Sequence, residues 1–322
     1  MSTAVSISGV TKRFADHVAV DSISFEVPRG VVYGVLGPNG AGKSTTLRMI
    51  NDIIAPDGGT IRILDTLAPG RDAAPKIGYL PEERGLYPKM RVAEMIAFMG
   101  ELRGMSARDA KARAGAWLER LGLSKWARNK VQDLSKGMQQ KVQFAACAIH
   151  DPELLILDEP WSGLDPINAE VLRDVVAEQK KAGRTILFST HQMEQAEKIC
   201  DEVCIIARGK KVLEGGLVEL KRAAQKDGLV AIGFADDQAR AKAAAVIADR
   251  SIVAAERPPR HGDTADMEVE LAPGATVDGL LAALVGAGAS VRRFEVVVPT
   301  LHQIFVDRVG AENAIVAERS PS

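Results

Sequence analysis

Gly37-Pro38-Asn39-Gly40-Ala41-Gly42-Lys43-Ser44-Thr45 fits the pattern G-x-x-x-x-G-K-[ST], a glycine-rich turn between a strand and a helix. The flanks agree with it. Val31-Val32-Tyr33-Gly34-Val35-Leu36 reads as a buried strand, and Thr45-Thr46-Leu47-Arg48-Met49-Ile50 as the first turns of a helix. Glycines let the backbone turn tightly and aim successive N–H groups at phosphate oxygens. The helix N-terminus adds the positive end of its dipole. In such a loop Lys43 supplies a point charge for the β- and γ-phosphates, and the Ser44 hydroxyl can ligate Mg²⁺. The alternative is a plain glycine-rich turn.

Downstream, Leu154-Leu155-Ile156-Leu157-Asp158-Glu159-Pro160 predicts a parallel strand that ends in two carboxylates. Ligands of open α/β sheets bind at that strand end. Adjacent acids point differently, so one can serve Mg²⁺ while the other faces the γ-phosphate; buried without such partners they would be costly. His191 follows the strand expected over 184–189, at the same edge, where a γ-phosphate contact is the better reading than a packing histidine. Glu82 follows the strand expected over 76–80; it either touches metal or attacking water, or is a solvated loop charge. Phe14 either stacks on a base or closes a strand, and composition does not choose. Ser135-Lys136-Gly137 starts a helix abruptly, a weak second phosphate site.

The surroundings are those of an α/β domain. Alternating Val5, Ile7 and Val10, then residues 18–27, predict an antiparallel hairpin at the start. Residues 71–75 read as irregular. Residues 91–123 read as helical, with Ser106 capping one helix. A helix starts near Pro166, a short one covers 193–200, and residues 203–214 read as a closing hairpin. Residues 221–227 read as a polar hinge. Beyond it, strands at 228–234, 251–256, 267–271 and 291–298 alternate with helices at 238–248, 276–285 and 300–309. That is a small α+β unit without a catalytic cluster, in which His261 and His302 lack evident partners.

The 322 residues suffice for one large and one small domain, and 46% apolar with 26% charged residues is an ordinary globular composition. A net charge of -1 argues against gripping nucleic acid by bulk charge. Cys147, Cys200 and Cys204 sit in apolar surroundings and read as core residues rather than metal ligands. Neither a signal peptide nor a membrane span is legible, so a cytoplasmic location is expected.

With these residues in place, the chain resembles the ATP-binding subunits of ABC transporters. The Gly37–Thr45 loop, Leu134-Ser135-Lys136-Gly137-Met138-Gln139-Gln140, the strand ending in Asp158-Glu159, Ser162-Gly163-Leu164-Asp165 and His191 occur in family order. The match covers roughly residues 3–220. Val298-Pro299-Thr300-Leu301-His302-Gln303-Ile304-Phe305 resembles the end of an accessory domain found in the subfamily that exports sodium ions, drugs and antibiotics. The resemblance implies an α/β P-loop NTPase fold over 1–220. That domain would have an antiparallel β subdomain and a helical subdomain at about 90–150. A small α+β C-terminal domain would follow over 221–310, then a flexible tail over 311–322.

The resemblance also implies roles. Phe14 takes the adenine-stacking place, where many relatives have tyrosine. The loop from Gly37 to Thr45 and Lys43 hold the phosphates of ATP, and Ser44 and Asp158 hold Mg²⁺. Glu159 is the general base, and His191 contacts the γ-phosphate. Ser135 and Gly137 meet the γ-phosphate of ATP bound to the other subunit of a dimer, either a second copy or a paralogue; Asp165 acts across the same interface, and Lys136 either adds a phosphate contact or points to solvent. A separate ABC-2 type permease is expected, with the chain peripheral on the cytoplasmic face of the membrane. The chain departs from the usual pattern at Lys136 (usually glycine), at Glu82 (usually glutamine) and at bulky Trp161; the first two also occur in the export subfamily. The competing readings are a soluble ATPase of the same superfamily acting on ribosomes or nucleic acid, and a protein that binds ATP without hydrolysing it.

Overall fold

The computed structural model describes residues 2–67, 71–83, 85–225, 228–259 and 265–310. The expected tail over 311–322 and His261 lie outside them. Alternating apolar residues make β1 (Thr3–Phe14) and β2 (His17–Pro28) a long antiparallel hairpin. β3 (Val32–Leu36) is buried along its whole length, as a strand covered on both faces requires. It feeds the glycine-rich loop and α1 (Lys43–Ile50). Next come β4 (Gly58–Ile63), β5 (Thr66–Leu67) and β6 (Ile77–Leu80). Residues 71–75, expected to be irregular, lie in a 3-10 turn over Arg71–Lys76, which also takes Lys76 from the strand expected over 76–80.

A helical stretch follows: α2 (Val92–Leu102), α3 (Ala107–Arg120) and α4 (Lys136–Ala148). Ser106 caps α3 as expected, accepting the Asp109 N–H at 3.1 Å. Then β7 (Leu154–Asp158), α5 (Pro166–Lys181), β8 (Thr185–Thr190) and α6 (Met193–Glu197) alternate. α6 stops three residues before the expected end at Cys200. β9 (Glu202–Ala207) and β10 (Lys210–Gly216) form the closing hairpin.

The strand order β10-β9-β3-β8-β7-β6 is what builds the site. β9, β3, β8, β7 and β6 run parallel, so the segments after β3, β8, β7 and β6 emerge along one edge. The glycine-rich loop, His191, Asp158-Glu159 and Glu82 follow those four strands in that order. The second sheet, β2-β1-β4-β5, shares one apolar core with α1 and the central sheet through Val5, Ile7, Phe25, Leu47, Ile156 and Ile206. The three cysteines are buried thiols, as core residues should be.

α7 (Leu217–Ala224) takes in residues 221–224 of the expected hinge over 221–227, and residues 226 and 227 lie outside the described ones. Its Lys, Arg, Glu, Leu and Ala residues are good helix formers, and their charge misled the loop reading. The second compact unit, 219–300, holds β11 (Leu229–Phe234), α8 (Asp237–Ala248), β12 (Val253–Arg257), β13 (Met267–Leu271), α9 (Val277–Gly286) and β14 (Val291–Val296). Its antiparallel sheet has the order β12-β13-β11-β14 and packs on α8 and α9 through Val230, Ile232, Val269, Ala243 and Leu280.

The last helix, α10 (Leu301–Val309), does not stay with that unit. The sequence groups it with the accessory domain, yet it belongs to the first compact unit. It packs on α6 and buries Leu301, Ile304 and Phe305. The Leu301 N–H donates to a Glu197 carboxylate oxygen at 3.3 Å. The chain thus leaves the first unit at Val218 and re-enters it at Leu301.

Candidate functional site

The loop after β3 is shaped by glycines that no other residue can replace freely. Gly37 has φ 151° and a Cβ on it would lie 2.0 Å from the Ile206 carbonyl oxygen. Gly42, the left-handed residue before α1, would put a Cβ 2.3 Å from the Ala19 carbonyl oxygen. The Lys43 ammonium donates to the Gly37 and Pro38 carbonyls at 2.8 and 3.0 Å and lies 3.8 Å from a Glu159 oxygen. Burial lowers the Lys43 pKa, and the charges of Glu159, Asp158 and Glu82 work against that shift.

Asp158 is fully buried at the end of β7. Its Oδ1 accepts from the Ser44 hydroxyl at 2.9 Å and from the Ser189 hydroxyl. Its Oδ2 is buried with no hydrogen-bond partner. An orphaned carboxylate oxygen beside a P-loop hydroxyl is a donor set suited to Mg²⁺, which takes one or two protein ligands and fills its other positions with phosphates and water. The chemistry of these residues therefore fits the metal. Burial raises the Asp158 pKa, and the hydroxyls of Ser189 and Ser44 limit the rise. A raised carboxyl value means that ionising Asp158 weakens the fold as pH climbs from the ordinary carboxylate range through the raised value. Asp158→Asn is therefore expected to melt at a higher temperature than the parent at neutral pH without Mg²⁺. That gain should vanish below the ordinary carboxylate range. Thermal melts over a pH series check it, and a gain independent of pH would trace it to something other than this charge.

Glu159 sits at φ 46°, a left-handed conformation that costs a residue with a side chain about 1–3 kcal/mol. The turn swings its carboxylate back over the strand ends. Thr190 Oγ1 donates to its Oε2 at 2.9 Å, and the His191 N–H donates to its Oε1 at 2.9 Å. His191 Nδ1 lies 2.9 Å from that same oxygen. The carboxylate is thus aimed by two residues of the neighbouring strand end, with Lys43 opposite. Ser189 and Thr190, which hold Asp158 and Glu159 by hydrogen bonds, were not singled out by the sequence reading, which ended its strand at Ser189. Their signal was two hydroxyls immediately before the histidine.

The remaining predicted residues divide into two groups. Glu82 is exposed past the end of β6, on the site's edge. Phe14 stands at the tip of the first hairpin, 48% exposed, with the Lys12 ammonium 5.6 Å from its ring centre. Ser135, Lys136 and Asp165 are exposed elsewhere. Ser135 caps α4 by accepting the Met138 N–H at 3.3 Å, and Asp165 caps α5 by accepting the Asn168 N–H at 2.9 Å. These caps adjoin, since a Cβ on Gly137 would meet Leu164 and Asn168 at 3.4 Å. Among the described residues, no hydrogen bond joins them to Lys43, Asp158 or Glu159. Trp161 is buried edge-on against Phe188 of β8, ring centres 4.8 Å apart, so its bulk fills core beneath the site.

The sequence matches the ABC transporter family model over residues 20–162 and the ATP-binding protein DrrA1-3-like C-terminal domain over residues 215–309. The ABC transporter ATP-binding protein YhaQ of Bacillus subtilis is 42% identical over 312 residues, covering 95% of this chain and 99% of that protein. This chain belongs to the ABC transporter ATP-binding proteins. The Nod factor export ATP-binding protein I of Bradyrhizobium diazoefficiens is 41% identical over 214 residues, 66% of this chain and 70% of that protein. A solved structure of an ATP-binding subunit of an ABC transporter superposes with a TM-score of 0.63 at 30% identity, covering 69% of this chain and 93% of that one. The ABC ATP-binding protein is therefore a nucleotide-binding, ATP-hydrolysing transporter subunit, of a kind that pairs and works with a membrane permease. Among the described residues, no helix is long and apolar enough to cross a membrane.

Proposed function

We propose that this ABC ATP-binding protein powers export through a separate ABC-2 type permease, from the cytoplasmic face of the membrane. Two copies, or this chain and a paralogue, would close on ATP. What carries the catalytic part is the arrangement at the strand ends: Asp158 Oδ2 buried without a partner beside Ser44, and Glu159 aimed by Thr190 and His191. What supports the export part is the likeness to Nod factor export subunits and to the DrrA-like C-terminal domain.

In this reading the backbone of Gly37 to Thr45 cradles the phosphates and Lys43 turns from the loop carbonyls to the β- and γ-oxygens. Mg²⁺, held by Ser44 and Asp158 with Glu82 at its outer edge, would neutralise charge on those oxygens. Glu159 accepts the proton of the attacking water, and His191 keeps the carboxylate in line and touches the γ-phosphate. Phe14 stacks on the adenine. Ser135, Lys136, Gly137 and Asp165 make no hydrogen bond to Lys43, Asp158 or Glu159 among the described residues, and in this reading they serve the partner subunit's nucleotide. Binding closes the pair and hydrolysis reopens it. The accessory domain has a structural or rate-tuning part.

The test is recovery of tagged Glu159→Gln protein from gentle detergent extracts with ATP present. A multi-span membrane protein in stoichiometric amount is expected in the eluate. Ribosomes or nucleic-acid proteins in its place, from extracts that retain intact transporters, would replace this reading with a soluble ATPase.

A further inference from the structure

Gln143 lies on α4 and is almost fully buried. Its amide nitrogen donates to the Pro81 carbonyl at 2.9 Å and to the Glu83 carbonyl at 3.2 Å. Two carbonyl acceptors require both N–H groups of the amide, which settles which end faces the loop. These carbonyls bracket Glu82. Among the described residues, the backbone of 82, 83, 85 and 86 makes no hydrogen bond to other backbone outside the strand ladder. The segment that carries Glu82 therefore depends on a side chain from another element to hold its course.

The other end of the amide argues against a filler role. Gln143 Oε1 is buried without a partner. A leucine would occupy similar space without leaving a buried acceptor unmet. What the glutamine adds is the pair of bonds to the loop.

We propose that Gln143 is the positioning residue for Glu82, clamping the peptide groups on both sides of it to the helix that begins with Lys136 and Gly137. The clamp makes one rigid connection out of two places that the sequence treats as separate. A shift of α4, whose N-terminal turn is capped by Ser135, carries the Glu82 backbone with it. The metal edge of one nucleotide site is thus linked to the surface offered to the other. The inference rests on the proposed role of Glu82 at Mg²⁺.

Two measurements on the full chain test it. The first is amide hydrogen exchange across residues 79–90 without nucleotide. The second is the Mg²⁺ concentration at which a fluorescent ATP analogue is half bound. Gln143→Leu is expected to speed exchange in this segment about tenfold. It is also expected to raise the Mg²⁺ requirement about tenfold, with nucleotide affinity in excess Mg²⁺ unchanged. Gln143→Met, which also lacks the donors, serves if the leucine variant folds poorly. Glu82→Ala should raise the Mg²⁺ requirement similarly, and the double variant should go no further. Fully multiplying effects in the double variant would mean that Gln143 acts apart from Glu82, and would overturn the clamp. Unchanged exchange alongside an intact Glu82→Ala effect would overturn the clamp alone. A Glu82→Ala protein with the parent's Mg²⁺ requirement would remove Glu82 from the metal and the inference with it.

Discussion

Glu159→Gln is expected to cut ATP hydrolysis by about 10³-fold while ATP affinity stays within about twofold. The substitution keeps the shape of the side chain. Its carbonyl oxygen can keep the His191 N–H that Glu159 Oε1 accepts, and its NH₂ can face Thr190. The Thr190 hydroxyl can turn to accept, because it donates to Glu159 while taking the Gln192 N–H at 3.1 Å. The bonds of Lys43 to the loop carbonyls remain, while the Glu159 oxygen 3.8 Å from its ammonium becomes a neutral amide group. What disappears is the capacity to take a proton from water. Phosphate release under saturating ATP, set beside equilibrium nucleotide binding, separates these quantities. A variant that keeps more than about a tenth of parental turnover would place the base elsewhere.

Gly37→Ala should damage the fold more than any other single methyl group placed in the loop. The new Cβ would stand 2.0 Å from the Ile206 carbonyl oxygen, and β9 lies inside the central sheet, so neither partner can retreat. The Gly37 N–H also reaches the Thr190 carbonyl at 3.3 Å, which pins the loop to β8. A loss of about 3–5 kcal/mol follows from the clash and the disfavoured backbone together. Gly40→Ala is the control. Its Cβ would meet nothing within 4 Å and it carries only the positive φ of 75°, for a loss of about 1 kcal/mol. Trp117, Trp126 and Trp161 all lie in the first unit, so tryptophan fluorescence in urea reports on that unit and not the second. Equal losses for the two variants would contradict the close approach.

Much of the site was legible because its residues are read in short runs. The spacing of Gly37 to Thr45 follows from a backbone that must turn, cradle and start a helix within a few residues. Asp158 and Glu159 announce themselves by ending an apolar strand, and Ser106 by standing where a helix begins, whereas Asp165 came only from the resemblance. Gln143 gave no such signal, and Ser189 and Thr190 gave only two hydroxyls before His191. They act through neighbours distant in sequence, and a hydroxyl at a strand end or an amide on a helix has many ordinary uses. The polar stretch after Leu220 failed for the opposite reason: charge weighed against a helix where propensity favoured one. Trp161 looked like a departure in a functional loop, and its contact with Phe188 makes it part of the core.

The return of the chain to its first unit sets a timetable for synthesis. α6 follows His191 closely, and the helix that covers it is drawn from residues 301–309, beyond the second unit. A nascent polypeptide can build its central sheet, its glycine-rich loop and its carboxylate pair while translation continues. It cannot bury Leu301, Ile304 and Phe305 against α6 until the second unit, residues 219–300, has been made. The segment beside His191 therefore matures only after the whole second unit has been synthesised.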